Sequence, residues 1–152
     1  MRYAHTNLIS TDWRKLADFY IQVFECRIVP PIRKQSGEFL TQGTGVPGAA
    51  LEGAHLALPG YGERGPTLEI YQYTKIELLA PVAPNTRGFG HLAFEVEDVA
   101  AVTTQVLQHG GSKCGEIVTK AIPGVGTITF VYVRDPEGNL LELQHWASPN
   151  EG

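Results

Sequence analysis

Two stretches of the chain carry apolar residues at helical spacing, each directly after an aspartate. The apolar positions are Trp13, Leu16, Ala17, Tyr20, Val23 and Phe24 after Asp12, and Val99, Val102, Val106 and Leu107 after Asp98. Apolar residues three or four positions apart form one face of an amphipathic helix, and aspartate is a favoured N-cap. The pattern predicts two helices, the second of which ends at Gly110-Gly111, because glycine readily adopts the left-handed C-cap conformation.

Shorter runs rich in β-branched and aromatic residues surround these helices and predict strands. They span residues 26–32, 38–42, 54–58 and 67–73 in the first half, and residues 90–96, 113–119, 127–133 and 140–146 in the second. Residues 135–139 read Asp-Pro-Glu-Gly-Asn and separate the last two runs. This composition predicts a turn that joins the two strands as a hairpin.

The two halves repeat the same series of residues. Each half has a histidine, an aspartate seven positions later, and further on a glycine four positions before a glutamate. These residues are His5, Asp12, Gly65 and Glu69 in the first half, and His91, Asp98, Gly138 and Glu142 in the second. Such self-similarity indicates a duplicated unit. We therefore predict an α+β protein of paired βαβββ modules, residues 1–79 and 86–148, with residues 80–85 as the linker and a curved mixed sheet.

Strand periodicity places the repeated histidines and glutamates on one face of the sheet. Side chains alternate between the two faces of a strand, and each glutamate lies between two large aliphatic residues. Because the helices need an apolar sheet face to pack on, the polar side chains project from the uncovered face. His5, Glu69, His91 and Glu142 are therefore predicted to converge in a cup.

Two imidazoles and two carboxylates suit one divalent cation, such as Zn²⁺, Ni²⁺, Co²⁺, Mn²⁺ or Fe²⁺. A single histidine or glutamate in a strand is more often an ordinary polar residue, but the repetition of both in equivalent places favours a metal site. The remaining histidines, His55, His109 and His145, have no such equivalents. We interpret them as surface or core residues.

Composition and charge narrow the classes of function. Of the 152 residues, 43% are hydrophobic and 18% are charged, as in ordinary globular proteins, and no apolar run is long enough to cross a bilayer. The net charge is −4 and basic residues form no run, which argues against a nucleic-acid partner. Because the N-terminus lacks a signal-peptide pattern, we expect a cytoplasmic protein. In that reducing compartment Cys26 and Cys114, which lack CxxC spacing, are expected to be unbridged thiols.

The combined pattern resembles the vicinal oxygen chelate superfamily, which includes glyoxalase I, methylmalonyl-CoA epimerase, extradiol dioxygenases, and fosfomycin and bleomycin resistance proteins. The resemblance covers nearly the whole chain. It is most specific in His5-Thr-Asn-Leu, in Arg87-Gly-Phe-Gly-His91 and in the stretch from Asp135 to Leu143. It implies the glyoxalase/bleomycin resistance/dioxygenase fold, and the order His, Glu, His, Glu is that of bacterial glyoxalase I.

The resemblance implies a metal-dependent lyase or isomerase. Its small substrate would chelate the metal ion through two adjacent oxygens, and a proton would be transferred within the substrate via an enediolate. Glu142 is then the expected catalytic base and Glu69 the second catalytic carboxylate. Arg87 is similar to an arginine that helps to hold glutathione in glyoxalase I, and a guanidinium suits a carboxylate. Asn7 and Tyr71, on the ligand face, are further candidates for substrate binding.

Other functions stay open at this point. An Fe²⁺ dioxygenase would use both ligand histidines and Glu142 as its triad, although Glu69 would then take a position that oxygen or substrate needs. An epimerase of the same superfamily is a second alternative. The third is a non-catalytic, resistance-type protein, with a small planar ligand among Tyr3, Tyr71, Tyr73 and Trp146. In each case we expect a homodimer, since members of the superfamily often complete their cups across a dimer interface.

Overall fold

The computed structural model describes residues 1–148. The chain divides into two compact units, residues 1–79 and the part that begins at Ala80, called unit 1 and unit 2 below. None of the helices among residues 1–148 is both long and apolar enough to cross a membrane.

Unit 1 is a four-stranded mixed sheet with one long and one short helix. Its elements are β1 (His5–Ile9), α1 (Trp13–Phe24), β2 (Arg27–Ser36), α2 (Glu38–Thr44), β3 (Ala50–Ala57) and β4 (Thr67–Tyr73). The strand order is β1-β4-β3-β2. β1 runs parallel to β4, while the other neighbours are antiparallel.

Unit 2 repeats this plan with a five-stranded sheet. Its elements are β5 (Leu92–Glu95), α3 (Val99–Gln108), β6 (Ser112–Lys113), β7 (Val118–Ile122), β8 (Gly126–Arg134) and β9 (Leu140–Ala147). The strand order is β5-β9-β8-β6, and β7 also pairs with β8. β5 runs parallel to β9, as β1 does to β4. The predicted α+β arrangement of paired modules is confirmed, with a separate mixed sheet in each unit.

Both predicted helices begin at their aspartate caps. Asp12 accepts a hydrogen bond from the Lys15 backbone nitrogen at 3.1 Å, and Asp98 accepts one from Ala101 at 2.9 Å. The apolar positions predicted for α1 are all buried. In α3 the apolar face is narrower than predicted, since Leu107 is exposed. α3 ends before Gly110, whose φ of 90° is the expected left-handed conformation.

Each helix packs on the apolar face of its own sheet. α1 contacts β3 and β4, and α3 contacts β8 and β9. The fully buried aliphatic residues of β4 and β9, on either side of their glutamates, are Leu68, Ile70, Leu141 and Leu143. Their burial confirms the predicted assignment of strand faces, with Glu69 and Glu142 turned away from the helices.

Residues 38–42, predicted as a strand, form the helix α2, so that prediction was wrong. Gly37 precedes the helix with a φ of 100°, which ends β2 in a conformation that favours glycine. Leu40 then packs with Ala49 and Leu51. A single inward apolar residue within seven is compatible with one helical turn or with a short strand, so periodicity does not separate them.

Several further strand predictions needed adjustment, since β2 and β3 are both longer than the predicted runs 26–32 and 54–58. In the run 113–119 only Lys113, Val118 and Thr119 lie in strands, at the end of β6 and the start of β7. Between them, the backbone nitrogens of Cys114 and Gly115 both donate to the Tyr132 carbonyl. His91 lies directly before β5 rather than within it. The hairpin turn at 135–139 is confirmed: the buried Asp135 carboxylate accepts hydrogen bonds from the backbone nitrogens of Glu137 and Asn139, both at 2.9 Å.

Candidate metal centre

In unit 1, strand alternation brings His5 and Glu69 together. Asn7 lies opposite Glu69 in the parallel register of β1 and β4, and His5 is on the same face of β1 as Asn7. His5 Nδ1 lies 3.3 Å from Glu69 Oε1. His55 of β3 also approaches this carboxylate, with its Nε2 at 3.2 Å from the same oxygen.

In unit 2, the equivalent pair is His91 and Glu142. His91 Nε2 lies 2.9 Å from Glu142 Oε2. Tyr132 is opposite Glu142 in the antiparallel register of β8 and β9, and its hydroxyl donates a hydrogen bond to that carboxylate. The rings of Tyr132 and His91 meet edge to face, with centroids 4.9 Å apart.

The two glutamates are mostly buried, and their ion-pair partners among residues 1–148 are histidines. Their side chains are 11% and 14% exposed for Glu69 and Glu142 respectively. Among residues 1–148, neither forms an ion pair with a lysine or an arginine. A carboxylate removed from water costs free energy unless a cation or hydrogen-bond donors compensate. The donor set of imidazole and carboxylate in each unit therefore fits a divalent cation.

As the side chains stand, no group of three or more histidine, cysteine, aspartate or glutamate residues within positions 1–148 is arranged to hold a metal ion. The preformed feature in each unit is the pair, with His5 beside Glu69 and His91 beside Glu142.

Burial and the two carboxylates shift the pKa values of neighbouring groups. Burial lowers the pKa of His55, against the opposing effect of the Glu69 charge. Burial, followed by the charge of Glu69, raises the pKa of Tyr71. Burial, the charge of Glu142 and the hydrogen bond to it raise the pKa of Tyr132. Both phenols therefore remain protonated and neutral near neutral pH.

The sequence profile of the Glyoxalase/Bleomycin resistance protein/Dioxygenase superfamily matches residues 2–143. This chain belongs to that superfamily. The match spans nearly all of both units, so the resemblance inferred from the repeated histidines and glutamates is confirmed.

Several known proteins are similar to this chain along most of its length. A probable lactoylglutathione lyase of Vibrio parahaemolyticus is 27% identical over 146 residues, which cover 93% of this chain and 88% of that protein. A glyoxalase family protein from Bacillus cereus superposes with a TM-score of 0.78 at 17% identity, covering 97% and 95% of the two chains. A fosfomycin resistance protein mutant from Listeria monocytogenes, crystallised with Mn(II) and a dihydroxypropylphosphonic acid, gives a TM-score of 0.51 at 18% identity, covering 93% and 90%.

Two of the three residues predicted to bind substrate lie beside Glu69. Asn7 Nδ2 donates to the Glu69 backbone oxygen at 3.5 Å, and the Tyr71 hydroxyl lies 2.6 Å from His55 Nε2. Arg87 lies in the exposed segment that precedes His91 and forms no ion pair with any other of residues 1–148. Its guanidinium is therefore available to a ligand.

Sequence reasoning missed two members of the site, His55 and Tyr132. Each lies directly across the sheet from a glutamate: His55 opposite Glu69 and Tyr132 opposite Glu142. His55 was interpreted as an isolated residue because its partner in the other half is a tyrosine rather than a histidine. His55 stands 14 positions before Glu69 whereas Tyr132 stands 10 before Glu142, so spacing along the chain does not pair these positions and the strand register does.

A separate open cavity of about 370 Å³ lies in unit 1, at the start of α1. Trp13, Arg14, Lys34 and Glu52 contribute to its lining, and Arg14 pairs with Glu52. Neither the four predicted metal ligands nor Asn7, Tyr71 and Arg87 line this cavity, although Tyr73, a candidate for binding a planar ligand, does. It is therefore distinct from the histidine–glutamate pair of unit 1.

Proposed function

We propose that this protein is a divalent-metal-dependent lyase or isomerase that acts on a small substrate with adjacent oxygen atoms. The observation that carries the proposal is the duplicated pair of a histidine and a mostly buried glutamate, neither of which has a lysine or arginine partner within residues 1–148. The similarity to a probable lactoylglutathione lyase supports this class of reaction.

In the proposed site, His5 and Glu69 of one unit and His91 and Glu142 of another hold one cation, which is Zn²⁺, Ni²⁺, Co²⁺, Mn²⁺ or Fe²⁺. When bound, such a cation supplies Lewis acidity, which polarises the oxygens of a chelating substrate and makes the neighbouring C–H group more acidic. The similar fosfomycin resistance protein was crystallised with Mn(II), which supports a divalent cation.

Glu142 is the proposed base. Its carboxylate accepts the proton from the substrate carbon that bears the hydroxyl and returns it to the adjacent carbonyl carbon, while the hydroxyl proton passes to the neighbouring oxygen, so the substrate is isomerised with no net loss of atoms. The hydrogen bond from the Tyr132 hydroxyl and the contact with His91 at 2.9 Å fix the orientation of this carboxylate. Glu69 is the second catalytic carboxylate of the proposal and occupies the equivalent place in unit 1.

The proposed substrate is the hemithioacetal of methylglyoxal and glutathione, with lactoylglutathione as product. Arg87 is suited to hold a glutathione carboxylate, since it has no partner of its own among residues 1–148 and a guanidinium binds a carboxylate through two parallel hydrogen bonds. Asn7 and Tyr71 supply further polar groups next to Glu69.

The proposal is tested by lactoylglutathione formation, with each divalent cation added back to metal-stripped protein. We expect at least one cation to restore activity, and Glu142→Gln to lower kcat by about 10²- to 10⁴-fold, the usual contribution of a general base. Glu116→Gln, which removes an exposed carboxylate paired with Lys113, is the matched control and should retain full activity. Inactivity with every cation, or an active Glu142→Gln variant, contradicts the proposal.

We also propose that the protein acts in the cytoplasm as a homodimer. Light scattering coupled to gel filtration at micromolar concentration should give twice the chain mass of 16.6 kDa. A monomer that nevertheless binds metal and turns over substrate would contradict the dimer while leaving the reaction intact.

A further inference from the structure

We propose that His55 is a positioning residue of the metal site, which holds the Glu69 carboxylate in place beside His5. This inference rests on the proposed function, because it assigns His55 a role toward the same cation. His55 would then be a fifth residue of the site, in addition to the four repeated ligands.

The side chains of unit 1 form a continuous chain of polar contacts around Glu69. The Tyr71 hydroxyl lies 2.6 Å from His55 Nε2, which lies 3.2 Å from Glu69 Oε1. This oxygen in turn lies 3.3 Å from His5 Nδ1. A carboxylate oxygen only accepts hydrogen bonds, so the ring of His55 stabilises Glu69 in the tautomer that carries hydrogen on Nε2, and the Tyr71 hydroxyl oxygen then accepts from the same N–H.

The backbone register gives His55 the same place in unit 1 that Tyr132 has in unit 2. His55 lies opposite Glu69 in the β3–β4 pair, and Tyr132 lies opposite Glu142 in the β8–β9 pair. Tyr132 donates a hydrogen bond to its glutamate. The duplicated fold thus places a polar ring across the sheet from each glutamate, an imidazole in one unit and a phenol in the other.

Tyr71 fixes the orientation of the His55 ring, and Gly53 leaves the room that the Tyr71 ring needs to reach it. The two rings meet edge to face, with centroids 5.8 Å apart. Gly53 lies opposite Tyr71 in the register, and a Cβ at this position would collide with the Ile70 carbonyl and the Tyr71 ring. The missing side chain therefore leaves the space in which the Tyr71 ring lies over β3 and reaches His55.

Partners that orient metal ligands typically change metal affinity by about 10- to 100-fold when they are removed. We therefore expect His55→Ala to raise the Kd for Co²⁺ by this factor, measured by calorimetry on metal-stripped protein. His55→Gln keeps a side-chain N–H donor and should recover part of the loss. Tyr71→Phe removes only the group that orients the ring and should have a smaller effect than His55→Ala. His109→Ala, at the exposed end of α3, is the control and should match the wild type.

Two spectroscopic measurements separate positioning from ligation and from a purely structural role. The visible spectrum of the Co²⁺-loaded His55→Ala protein should keep the wild-type band positions, since the same atoms still bind the metal. In the metal-free protein, the ring nitrogen resonances of His5 should shift in His55→Ala while those of His91 stay unchanged, because only His5 shares its carboxylate oxygen with His55.

Each other outcome overturns the inference in an identifiable way. A changed Co²⁺ spectrum in His55→Ala would make His55 a ligand rather than a positioning residue. Co²⁺ affinity within twofold of wild type, or unshifted His5 resonances, would remove its role at the site while leaving the proposed function intact. Wild-type protein that binds no Co²⁺ would overturn the proposed function and this inference together.

Discussion

Glu69 and Glu142 occupy equivalent places in the two units but have different neighbours. Glu142 is contacted by His91 and by the Tyr132 hydroxyl, whereas two imidazole nitrogens converge on one oxygen of Glu69. A phenol is a neutral donor near neutral pH, while an imidazole both donates and accepts. The duplicated fold thus gives the two carboxylates different surroundings, which favours a different part for each in the proposed reaction.

The thiol of Cys26 should be inert in the folded protein. The residue is 1% exposed, and burial raises its pKa to about 12, so almost no reactive thiolate is present near neutral pH. Cys114 is only partly buried. Mass spectrometry after iodoacetamide treatment should therefore find Cys114 modified in native protein, and Cys26 modified only after unfolding. Equal modification of both thiols in native protein would contradict this burial.

Sequence reasoning identified the four repeated candidates but not the residues that surround them. Alternation along one strand is visible in the sequence, so it placed Glu69 and Glu142 opposite the buried aliphatic residues that flank them. The residue that faces each glutamate across the sheet depends on the register between strands, which hydrophobic periodicity does not define. His55 and Tyr132 emerged only when that register was known.

The contact between β3 and β4 depends on a close backbone approach at Gly53. The glycine lies opposite Tyr71, and a methyl group in its place would overlap with the Ile70 carbonyl. This part of the sheet holds both Glu69 and His55. A change in the close contact between β3 and β4 would therefore affect both the stability of unit 1 and the geometry of the proposed site.

Gly53→Ala should lower the free energy of unfolding by about 1–3 kcal/mol, as overpacked interiors do. Urea denaturation followed by circular dichroism measures this change. Gly43→Ala in α2 is the matched control: an added Cβ there meets no atom within 4 Å, so the better helix propensity of alanine should leave stability equal or higher by about 0.5–1 kcal/mol. Equal effects of the two substitutions would contradict the close approach.

The long helices were more predictable than the short elements. α1 has a capping aspartate and a complete apolar face, and its predicted inward positions are buried. α2 is seven residues long with only Leu40 buried, so its pattern contains too little information to distinguish helix from strand. The division of residues 113–119 into β6 and β7 depends on two backbone bonds to Tyr132, which no periodicity reports.

The two units share both their backbone arrangement and their pair of polar residues. Each unit pairs its first strand in parallel with its last, packs one amphipathic helix on the apolar face, and brings a histidine to a glutamate on the other face. Superfamily membership is shown by the match along residues 2–143. The proposal that the two pairs serve one cation follows from the donor chemistry and the repetition, and it requires all four residues.

Metal content tests that requirement most directly. Protein purified from medium supplemented with Zn²⁺, Ni²⁺, Co²⁺, Mn²⁺ and Fe²⁺ is dialysed and analysed by inductively coupled plasma mass spectrometry, with circular dichroism to confirm folding. We predict one divalent cation per chain for the wild type and its loss in each of the variants His5→Ala, Glu69→Ala, His91→Ala and Glu142→Ala, with His109→Ala retaining it. A folded wild type without metal, or full occupancy after any of those four substitutions, would contradict a cation shared by the two pairs.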